Sequence, residues 1–299
     1  MDRLLETAQA EIGKAVIGQD ETVELMMIAT LARGHILLEG PPGSAKTLLA
    51  RSLARMVGGH FRRVQMTLET QPSEITGETT TTASGDVFRK GPLFTNVFLA
   101  DEINRAAAPT QAALLEAMQE RHVTQAGKTH WIDAPFTVVA TQNPYEHQGV
   151  FPLPESQLDR FIVKISVDYP SAEHELDVLE LPHRGTSTEV VGEINPFLAG
   201  GRLLQAQEAA DAVHTPSAIA RSIVAIVRYT RTASGVEMGA SSRAAVHLYA
   251  AAKARAALHG HSEVVEEDVR TIAASVLPHR MSAEDPRALT EEAVRSAFG

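Results

Sequence analysis

The stretch that most constrains this chain of 299 residues is Gly40–Thr47, which has the sequence Gly-Pro-Pro-Gly-Ser-Ala-Lys-Thr. It follows Ile36–Glu39, an apolar run typical of a short buried strand, and precedes Leu48–Arg55, a stretch typical of a helix. A glycine-rich turn between a strand and a helix directs backbone N–H groups and the positive end of the helix dipole toward a bound anion. The sequence therefore predicts a phosphate-binding loop.

Two residues at the end of this loop carry the expected chemistry. Lys46 is expected to reach the β- and γ-phosphates of a nucleotide, and the Thr47 hydroxyl is expected to ligate Mg²⁺. Phosphate loops usually place a second glycine before the lysine, and here that residue is Ala45, which we expect to be tolerated if its φ angle stays negative. The predicted nucleotide contacts are Gly40, Pro41, Pro42, Gly43, Ser44, Ala45, Lys46, Thr47 and Leu48.

Composition narrows the class of protein. The chain contains no cysteine, which excludes disulfides and thiolate chemistry, and its 44% of hydrophobic residues is enough for a sizeable core. The formal net charge of −10 disfavours a general affinity for nucleic acid, because contact with phosphate backbones requires a basic face. The chain shows no apolar signal core and no run near the roughly 18 apolar residues of a membrane span. We therefore expect a cytoplasmic protein without membrane insertion.

Five short β-rich runs alternate with helical stretches, which predicts an α/β fold with a parallel sheet between helices. The runs are Ile36–Glu39, Val64–Thr67, Val97–Ala100, Phe136–Thr141 and Phe161–Val167. Asp101 and Glu102 follow the third run, at the strand end where such sheets bind ligands. Buried carboxylates are costly unless they meet a cation or water. Beside a phosphate loop, we expect Asp101 to hold the Mg²⁺ shell and Glu102 to act as general base toward a water molecule.

Two further segments leave alternatives open. Val16–Gln19 is an apolar turn before the phosphate strand, and it packs either on an adenine ring or in an ordinary core. Asn143 follows the fourth run, where its amide either binds the γ-phosphate or the attacking water, or belongs to a simple turn.

Two arginines have equally open roles. Arg160 either pairs with Asp159 or Glu155, which residue type alone favours, or reaches the phosphate of a neighbouring subunit. Arg243 lies in the first turn of a predicted helix, where the dipole disfavours a cation. That placement suggests an anionic partner such as a γ-phosphate.

Outside the alternating region the pattern changes. Leu68–Phe94 and Arg121–Trp131 predict projecting hairpins or loops, which are either surfaces that move with nucleotide state or inert loops. After Tyr169 the helical stretches are Pro216–Thr232, Ser241–His259, with Ser241 as its cap, and Glu266–Val276. These stretches predict a small helical bundle that follows the α/β region in the chain.

Taken together, these motifs resemble the AAA+ ATPases, and within them the MoxR group, over nearly the whole chain. The matching segments are Val16–Gln19, Gly40–Thr47, Leu99–Arg105, Gln111–Arg121, Ala140–Pro144, Leu153–Phe161 and Gly239–Ala244. The resemblance implies a P-loop NTPase fold with a five-stranded parallel sheet in the order 5-1-4-3-2. It also implies a nucleotide-binding domain in residues 1–185 and a helical lid domain in residues 186–299.

The same resemblance implies roles for individual residues. Asn143 looks like sensor 1, Arg160 like an arginine finger that acts in trans, and Arg243 like sensor 2. Ile17 and Gly18 join the residues expected to contact ATP. Residues 68–94 resemble the helix-2 insert of this clade, and residues 121–131 resemble its pre-sensor-1 hairpin.

The resemblance implies Mg²⁺-dependent ATP hydrolysis in a homo-oligomeric ring, usually a hexamer, whose sites are shared between neighbours. Proteins of this group are thought to remodel or mature client proteins, commonly with a partner that carries a von Willebrand factor A (VWA) domain. Three alternatives use the same residues. They are an ATPase subunit of a chelatase, a nucleic-acid motor, which the acidic charge disfavours, and a nucleotide-gated scaffold that does not hydrolyse ATP.

Overall fold

The computed structural model describes residues 3–82, 85–146, 148–181 and 188–299. The α-helices are α1 (Leu4–Gly13), α2 (Asp20–Leu31), α3 (Lys46–Met56), α4 (Pro72–Thr76), α5 (Ala108–Glu120), α6 (Glu155–Leu158), α7 (Ala172–Glu180), α8 (Arg202–Ala212), α9 (Ser217–Tyr229), α10 (Ser242–Leu258), α11 (Glu266–Val276) and α12 (Pro286–Phe298). The strands are β1 (Ile36–Glu39), β2 (Phe61–Gln65), β3 (Gly77–Thr82), β4 (Gly85–Lys90), β5 (Val97–Asp101), β6 (His122–Gln125), β7 (Lys128–Trp131), β8 (Thr137–Gln142), β9 (Val163–Ser166), β10 (Val236–Met238) and β11 (Ser282–Ala283). Short 3₁₀ turns cover Ile103–Arg105, Thr188–Glu193 and Pro278–Arg280.

Five parallel strands form the central sheet in the order β2-β5-β8-β1-β9. Numbered along the chain among themselves, these strands have the order 5-1-4-3-2, so the implied topology is confirmed. Ile36 of β1 pairs with Val139 on one side and with Val163 on the other, which places the strand before the phosphate loop between two neighbours. Because both faces of the central strands are covered, their residues are buried almost throughout, and the strand interiors are mainly apolar.

The second strand begins three residues and ends two residues earlier in the chain than predicted. The sequence pattern favours residues 64–67, whereas β2 is Phe61–Gln65. Its only partner among the described strands is β5, so β2 is an edge strand, and it is half exposed. An edge strand can carry charged residues such as Arg62 and Arg63, and these concealed it from a search for apolar runs.

Both predicted excursions are hairpins. β3 pairs with β4 inside residues 68–94, although the tip at residues 83–84 lies outside the described residues. β6 pairs with β7, and the far arm ends at the exposed Trp131. The rings of Phe88 and His130 stack with centroids 3.8 Å apart, so the two hairpins are joined side by side.

Helices α8–α12 form the helical bundle that follows the sheet region. Ser241 caps α10 as predicted, because its side chain accepts a hydrogen bond from the Ala244 N–H at 3.1 Å. The predicted boundary between residues 185 and 186 falls in 182–187, outside the described residues. One core cluster contains both Ile36 of the sheet and Leu248 of α10, so the two parts pack together. Across the described ranges, no helix combines the length and apolar character needed to cross a bilayer.

Candidate active site

The carboxyl ends of β1, β5 and β8 open onto one cleft of about 430 Å³, a size common for small-molecule sites. The described residues that line it are Pro42, Gly43, Ser44, Ala45, Lys46, Thr47, Leu48, Arg51, Arg63, Gln65, Asp101, Glu102, Thr141, Gln142 and Asn143. The structure thus brings together most of the phosphate loop, both predicted carboxylates and the predicted sensor asparagine. Six other predicted residues lie outside this lining: Ile17, Gly18, Gly40, Pro41, Arg160 and Arg243.

Lys46 is the first residue of α3, and its Nζ folds back onto the phosphate loop. Nζ donates hydrogen bonds to Gly40 O at 2.8 Å and to Pro41 O at 2.6 Å, and it lies 3.2 Å from Ser44 Oγ. Burial lowers the pKa of Lys46, and the charge of Asp101 opposes that shift. The ammonium group is therefore held at the loop, where the phosphates of a nucleotide would replace carbonyl oxygens as its partners.

Ala45 departs from the predicted backbone conformation. Its φ and ψ angles are 62° and 14°, in the left-handed region, so the expectation of a negative φ is wrong. Gly43 in the same loop also has a positive φ, of 83°. The loop reaches α3 through two left-handed residues, and the methyl group of Ala45 costs roughly 1–2 kcal/mol there. Backbone strain of this kind is found mainly where a loop geometry serves a site.

Asp101 ends β5 with both carboxylate oxygens engaged. Its Oδ1 accepts a hydrogen bond from Thr141 Oγ1 at 2.6 Å, and its Oδ2 lies 3.3 Å from Thr47 Oγ1. Hydroxyl and carboxylate oxygens are the hard ligands that Mg²⁺ prefers. The side chains present therefore fit the predicted metal site between Thr47 and Asp101.

Glu102 follows Asp101 in a left-handed conformation with φ of 58°. Its N–H donates to Thr141 Oγ1 at 2.9 Å, which fixes the backbone beside the cleft. Its carboxylate pairs with Arg105 at 2.8 Å, and Arg105 also pairs with Glu146. The predicted general base is thus held through Oε2 by a cation three residues away, and its side chain is 34% exposed.

Asn143 lies directly after β8, at the edge of the cleft. Its Oδ1 accepts a hydrogen bond from the Tyr145 N–H at 3.1 Å, which is the contact of a local turn. The same residue lines the cleft beside the phosphate loop. The turn and the contact with phosphate or water are therefore compatible with each other.

Ile17 and Gly18 lie on a turn that is covered by another segment. Gly18 has a φ of 72°, and a Cβ built there would lie 2.4 Å from the His174 ring nitrogen Nδ1. Only glycine fits this close approach without a shift of His174. The turn is thus packed against the start of α7, and its predicted contact with adenine stays a prediction.

Arg160 lies in a second cluster, away from the cleft. Its Nη1 donates to Leu115 O at 2.6 Å, and no ion pair joins it to Asp159 or Glu155, both of which are described. The favoured pairing from residue type is therefore wrong. Burial lowers the pKa of Arg160, and the nearby charge of Arg243 lowers it further. The two arginines are thus close enough to repel each other.

Asp159 holds this second cluster together. Its Oδ2 accepts hydrogen bonds from Arg243 at 3.3 Å and from Ser241 at 3.0 Å, while its Oδ1 accepts one from Arg280 at 2.8 Å. Arg243 thus has the anionic partner that its place in the first helical turn suggested, and that partner is a carboxylate of the same chain. The residue next to Arg160 in the sequence therefore links it to the lid helices.

The sequence pattern does not single out three residues of these clusters. Arg63 lies one residue before the predicted second strand. Thr141 is the last residue of the predicted fourth strand, where nothing in the pattern marks it as functional. Arg280 lies far along the chain, in a 3₁₀ turn without a motif. A strand predicted from Phe61 to Gln65 places Arg63 two residues before its carboxyl end, on the same face as Gln65. That placement is the signal that could have identified Arg63.

Known proteins show which family has this arrangement. Residues 35–163 match the family described as "ATPase family associated with various cellular activities (AAA)", and residues 228–297 match the AAA lid domain. The chain is 42% identical over 288 residues to "Chaperone MoxR1" of Mycobacterium tuberculosis, covering 93% of this chain and 75% of that protein. It is 31% identical to "Protein MoxR" of Paracoccus denitrificans, covering 97% and 94% of the two chains. The chain belongs to the MoxR family of AAA+ ATPases.

A solved structure supports the same assignment for the fold. A protein from Cytophaga hutchinsonii superposes with a TM-score of 0.88 at 34% identity, covering 97% of this chain and 93% of that one. The MoxR-family resemblance inferred from sequence motifs is therefore confirmed. Within this MoxR-family chain, the cleft and the arginine cluster around Asp159 are two separate groups of residues.

Proposed function

We propose that this protein hydrolyses ATP with Mg²⁺ in a homo-oligomeric ring. The observation that carries the proposal is the convergence of Lys46, Thr47, Asp101 and Glu102 on one cleft at the carboxyl edge of the sheet. A lysine at a phosphate loop, paired oxygens for a metal and a carboxylate for water are the parts that phosphoanhydride hydrolysis requires.

Each of these residues has a distinct task in the proposed reaction. Lys46 binds the β- and γ-phosphates, and Thr47 and Asp101 hold Mg²⁺. The metal, when bound, neutralises charge on the phosphate oxygens. Glu102 orients the attacking water and accepts its proton, while Asn143 fixes the water or the γ-phosphate by its amide.

We infer that Arg160 and Arg243 act on the nucleotide of a neighbouring subunit. Both lie outside the lining of the cleft in their own chain. Arg243 bonds to Asp159, the residue before Arg160 in the chain, and Arg160 itself bonds to Leu115 O. A cation at this cluster could stabilise the charge that develops on a γ-phosphate brought by another copy. The site would then be complete only in a ring, for which a hexamer is the proposed form.

The proposed biological role is chaperone-like remodelling or maturation of client proteins, with a VWA-domain partner. The name "Chaperone MoxR1" of the relative from Mycobacterium tuberculosis supports that role. We also propose a nucleotide-binding domain in residues 1–185 and a lid domain in residues 186–299, in keeping with the two family matches. The cytoplasm is the proposed compartment, because this reaction needs a continuous supply of ATP.

Two substitutions test the cleft directly. Lys46→Ala is expected to abolish ATP binding, because it removes the cation from the phosphate loop. Glu102→Gln is expected to retain binding and lose turnover, because an amide cannot accept the proton of water. Binding is measured with a fluorescent ATP analogue, and turnover by phosphate release.

Matched controls are the exposed Lys128→Ala and Glu291→Gln, which make the same changes away from the cleft. Both are expected to bind and hydrolyse ATP as the wild type does. Undiminished hydrolysis in Glu102→Gln would contradict the assignment of the general base. Undiminished binding in Lys46→Ala would contradict the assignment of the phosphate loop.

A further inference from the structure

Arg63 makes a contact in the cleft that none of the roles above uses. Both its Nε and its Nη2 lie within hydrogen-bonding distance of the same carboxylate oxygen, Asp101 Oδ2, at 2.8 and 2.7 Å. Nη2 also donates to the side chain of Gln65, two residues along the same face of β2. The guanidinium group thus covers one oxygen of Asp101 with two donors.

The oxygen that Arg63 covers is the one that faces the predicted metal site. Thr47 Oγ1 lies 3.3 Å from Asp101 Oδ2, whereas Oδ1 is turned to the hydroxyl of Thr141 at 2.6 Å. Any cation shared by Thr47 and Asp101 would therefore use Oδ2. That oxygen has too few lone pairs for two guanidinium donors, a threonine hydroxyl and a metal, and the two positive charges would repel each other.

Burial explains why a substitute cation is needed at Asp101. The Asp101 side chain is only 10% exposed, and an unpaired carboxylate at such a position would be strongly unfavourable. The Arg63 side chain is 39% exposed and lines the open cleft, so it can turn away without being extracted from a packed core. The buried partner is thus fixed, and the half-exposed partner is the one that can move.

We propose that Arg63 is a positioning residue that occupies the metal-facing oxygen of Asp101 and releases it when the metal–nucleotide complex binds. This inference rests on the proposed ATPase function. Arg63 then makes binding of the metal dependent on the nucleotide, because Oδ2 becomes available only when the guanidinium turns toward the phosphates. The phosphates supply the negative charge that Arg63 loses on leaving Asp101.

Removal of Arg63 has opposite expected effects on the two ligands. With Arg63→Gln, Asp101 keeps its charge without a competing cation, so the Mg²⁺ concentration for half-maximal binding of a nucleotide should fall about tenfold, the scale of one charge-assisted hydrogen bond. Binding of nucleotide without metal should weaken, because the cleft has lost a positive charge. A merely structural role for Arg63 would not move these two quantities in opposite directions.

The experiment titrates Mg²⁺ into the full chain with a fluorescent, non-hydrolysable ATP analogue, and repeats the binding measurement in EDTA. Arg62→Gln is the matched control. Arg62 is exposed, and because adjacent strand residues alternate between faces, it lies on the opposite face of β2 from Arg63. Arg63→Lys keeps a charge but loses the two-donor contact, so it should shift the Mg²⁺ dependence in the same direction by a smaller factor. Thermal unfolding with Arg63→Gln and Arg63→Lys establishes that both variants are folded.

An unchanged or increased Mg²⁺ requirement in Arg63→Gln overturns the inference, as does an equal shift in Arg62→Gln. If Arg63→Gln does not fold, the same criterion applies to Arg63→Lys. If the wild type binds the analogue and only the predicted shift fails, the proposed function stands without this inference. If the wild type binds no nucleotide under any condition, the proposed function itself fails.

Discussion

His35 illustrates how one buried side chain fixes its own charge. Its Nε2 lies 3.0 Å from Met118 O, and its Nδ1 accepts a hydrogen bond from the Val138 N–H at 2.9 Å. A ring that donates at one nitrogen and accepts at the other is neutral, and a second proton on Nδ1 would face the Val138 N–H. Burial lowers the pKa of His35 to about 4, and it lowers that of His247 to about 3.

This arrangement predicts a loss of stability in mild acid. The unfolded chain binds a proton at His35 below its ordinary pKa of about 6.5, whereas the folded chain does so only near 4. The contribution of His35 is therefore fully present above pH 6.5 and is lost as the pH falls toward 4. Near pH 5 it should add about 1.4 kcal/mol per pH unit to the slope of the unfolding free energy.

Urea unfolding between pH 7 and pH 5 measures this slope. His35→Gln is expected to reduce it by about one proton, whereas the same change at the exposed His60 is expected to leave it as it is. An equal slope in the wild type and in His35→Gln would show that His35 carries its proton in the folded state.

At the scale of residues, the sequence predicts which groups meet better than it predicts their exact state. The order of motifs was enough to place Lys46, Asp101 and Glu102 in one cleft, because strand ends of a parallel sheet share an edge. The φ of Ala45 was not predictable, since residue type alone favours negative values and the loop overrides that preference. The partner of Arg160 was not predictable either, because Leu115 contributes only a backbone carbonyl.

The turn between α6 and β9 shows how elements are joined through one buried ion pair. Arg280 is almost fully buried and donates to Asp159, to the carbonyls of Phe161 and Ile162, and to the ring of His247. Burial lowers the pKa of Arg280 to about 10, and the charge of Asp159 opposes that shift. The guanidinium group stays charged and holds the strand end against the lid helices.

Truncation of this pair predicts a large and coupled loss of stability. Asp159→Ala leaves the buried Arg280 without its counter-charge, which typically costs about 3–5 kcal/mol. The double variant Asp159→Ala/Arg280→Met should lose less than the sum of the two single changes, because it leaves no unpaired charge. Urea unfolding of all four proteins completes the cycle.

The exposed Asp133→Ala is the control, and it should change stability by less than about 0.5 kcal/mol. Strict additivity of Asp159→Ala and Arg280→Met would contradict a direct interaction between them. The cycle therefore tests the junction independently of any ATPase activity.

At the scale of elements, the sequence predicts the central strands closely and the edge of the sheet poorly, and it predicts helices α9, α10 and α11 but not α7, α8 and α12. α11 and β1 have the predicted bounds, because an apolar period or an apolar run defines them. β2 was shifted because an edge strand need not be apolar on both faces. The link from Asp159 to Arg280 spans more than a hundred residues, and no local pattern reports such a contact.

The two groups of residues that the proposed function assigns to one site lie apart within one chain. The lining of the cleft at Lys46 includes neither Arg160 nor Arg243. Only the family resemblance predicts the oligomeric state, the client and the partner, because no surface among the described residues identifies them by its chemistry. The net charge of −10 is the global property that indicates something about partners, because it disfavours binding to nucleic acid.

A mixture of two inactive variants tests the division into half-sites. Arg160→Ala should lower ATP turnover by roughly three to five orders of magnitude, as loss of an arginine finger does. Mixed with Glu102→Gln, it should regain part of the activity, because the intact Glu102 of one subunit meets the intact Arg160 of the next. Phosphate release is measured across the ratios of the two proteins.

The matched control replaces Glu102→Gln by the double variant Glu102→Gln/Arg160→Ala, which offers no intact Arg160 anywhere. That mixture should remain inactive at every ratio. Failure of the first mixture to recover at any ratio would argue for a site completed within one chain.

The length of the helix that follows Asp101 and Glu102 has a mechanical consequence. α5 contains 13 residues and so extends about 20 Å from the Glu102 turn to the β6–β7 hairpin. A tilt of about 10° at its cleft end would carry the far end through about 3 Å, by the same helix geometry. Because Phe88 of β4 stacks on His130 of β7, the β3–β4 hairpin would move together with the β6–β7 hairpin. Under the proposed function, α5 would act as a lever arm that converts a small movement at the Glu102 turn into a larger movement of the exposed Trp131.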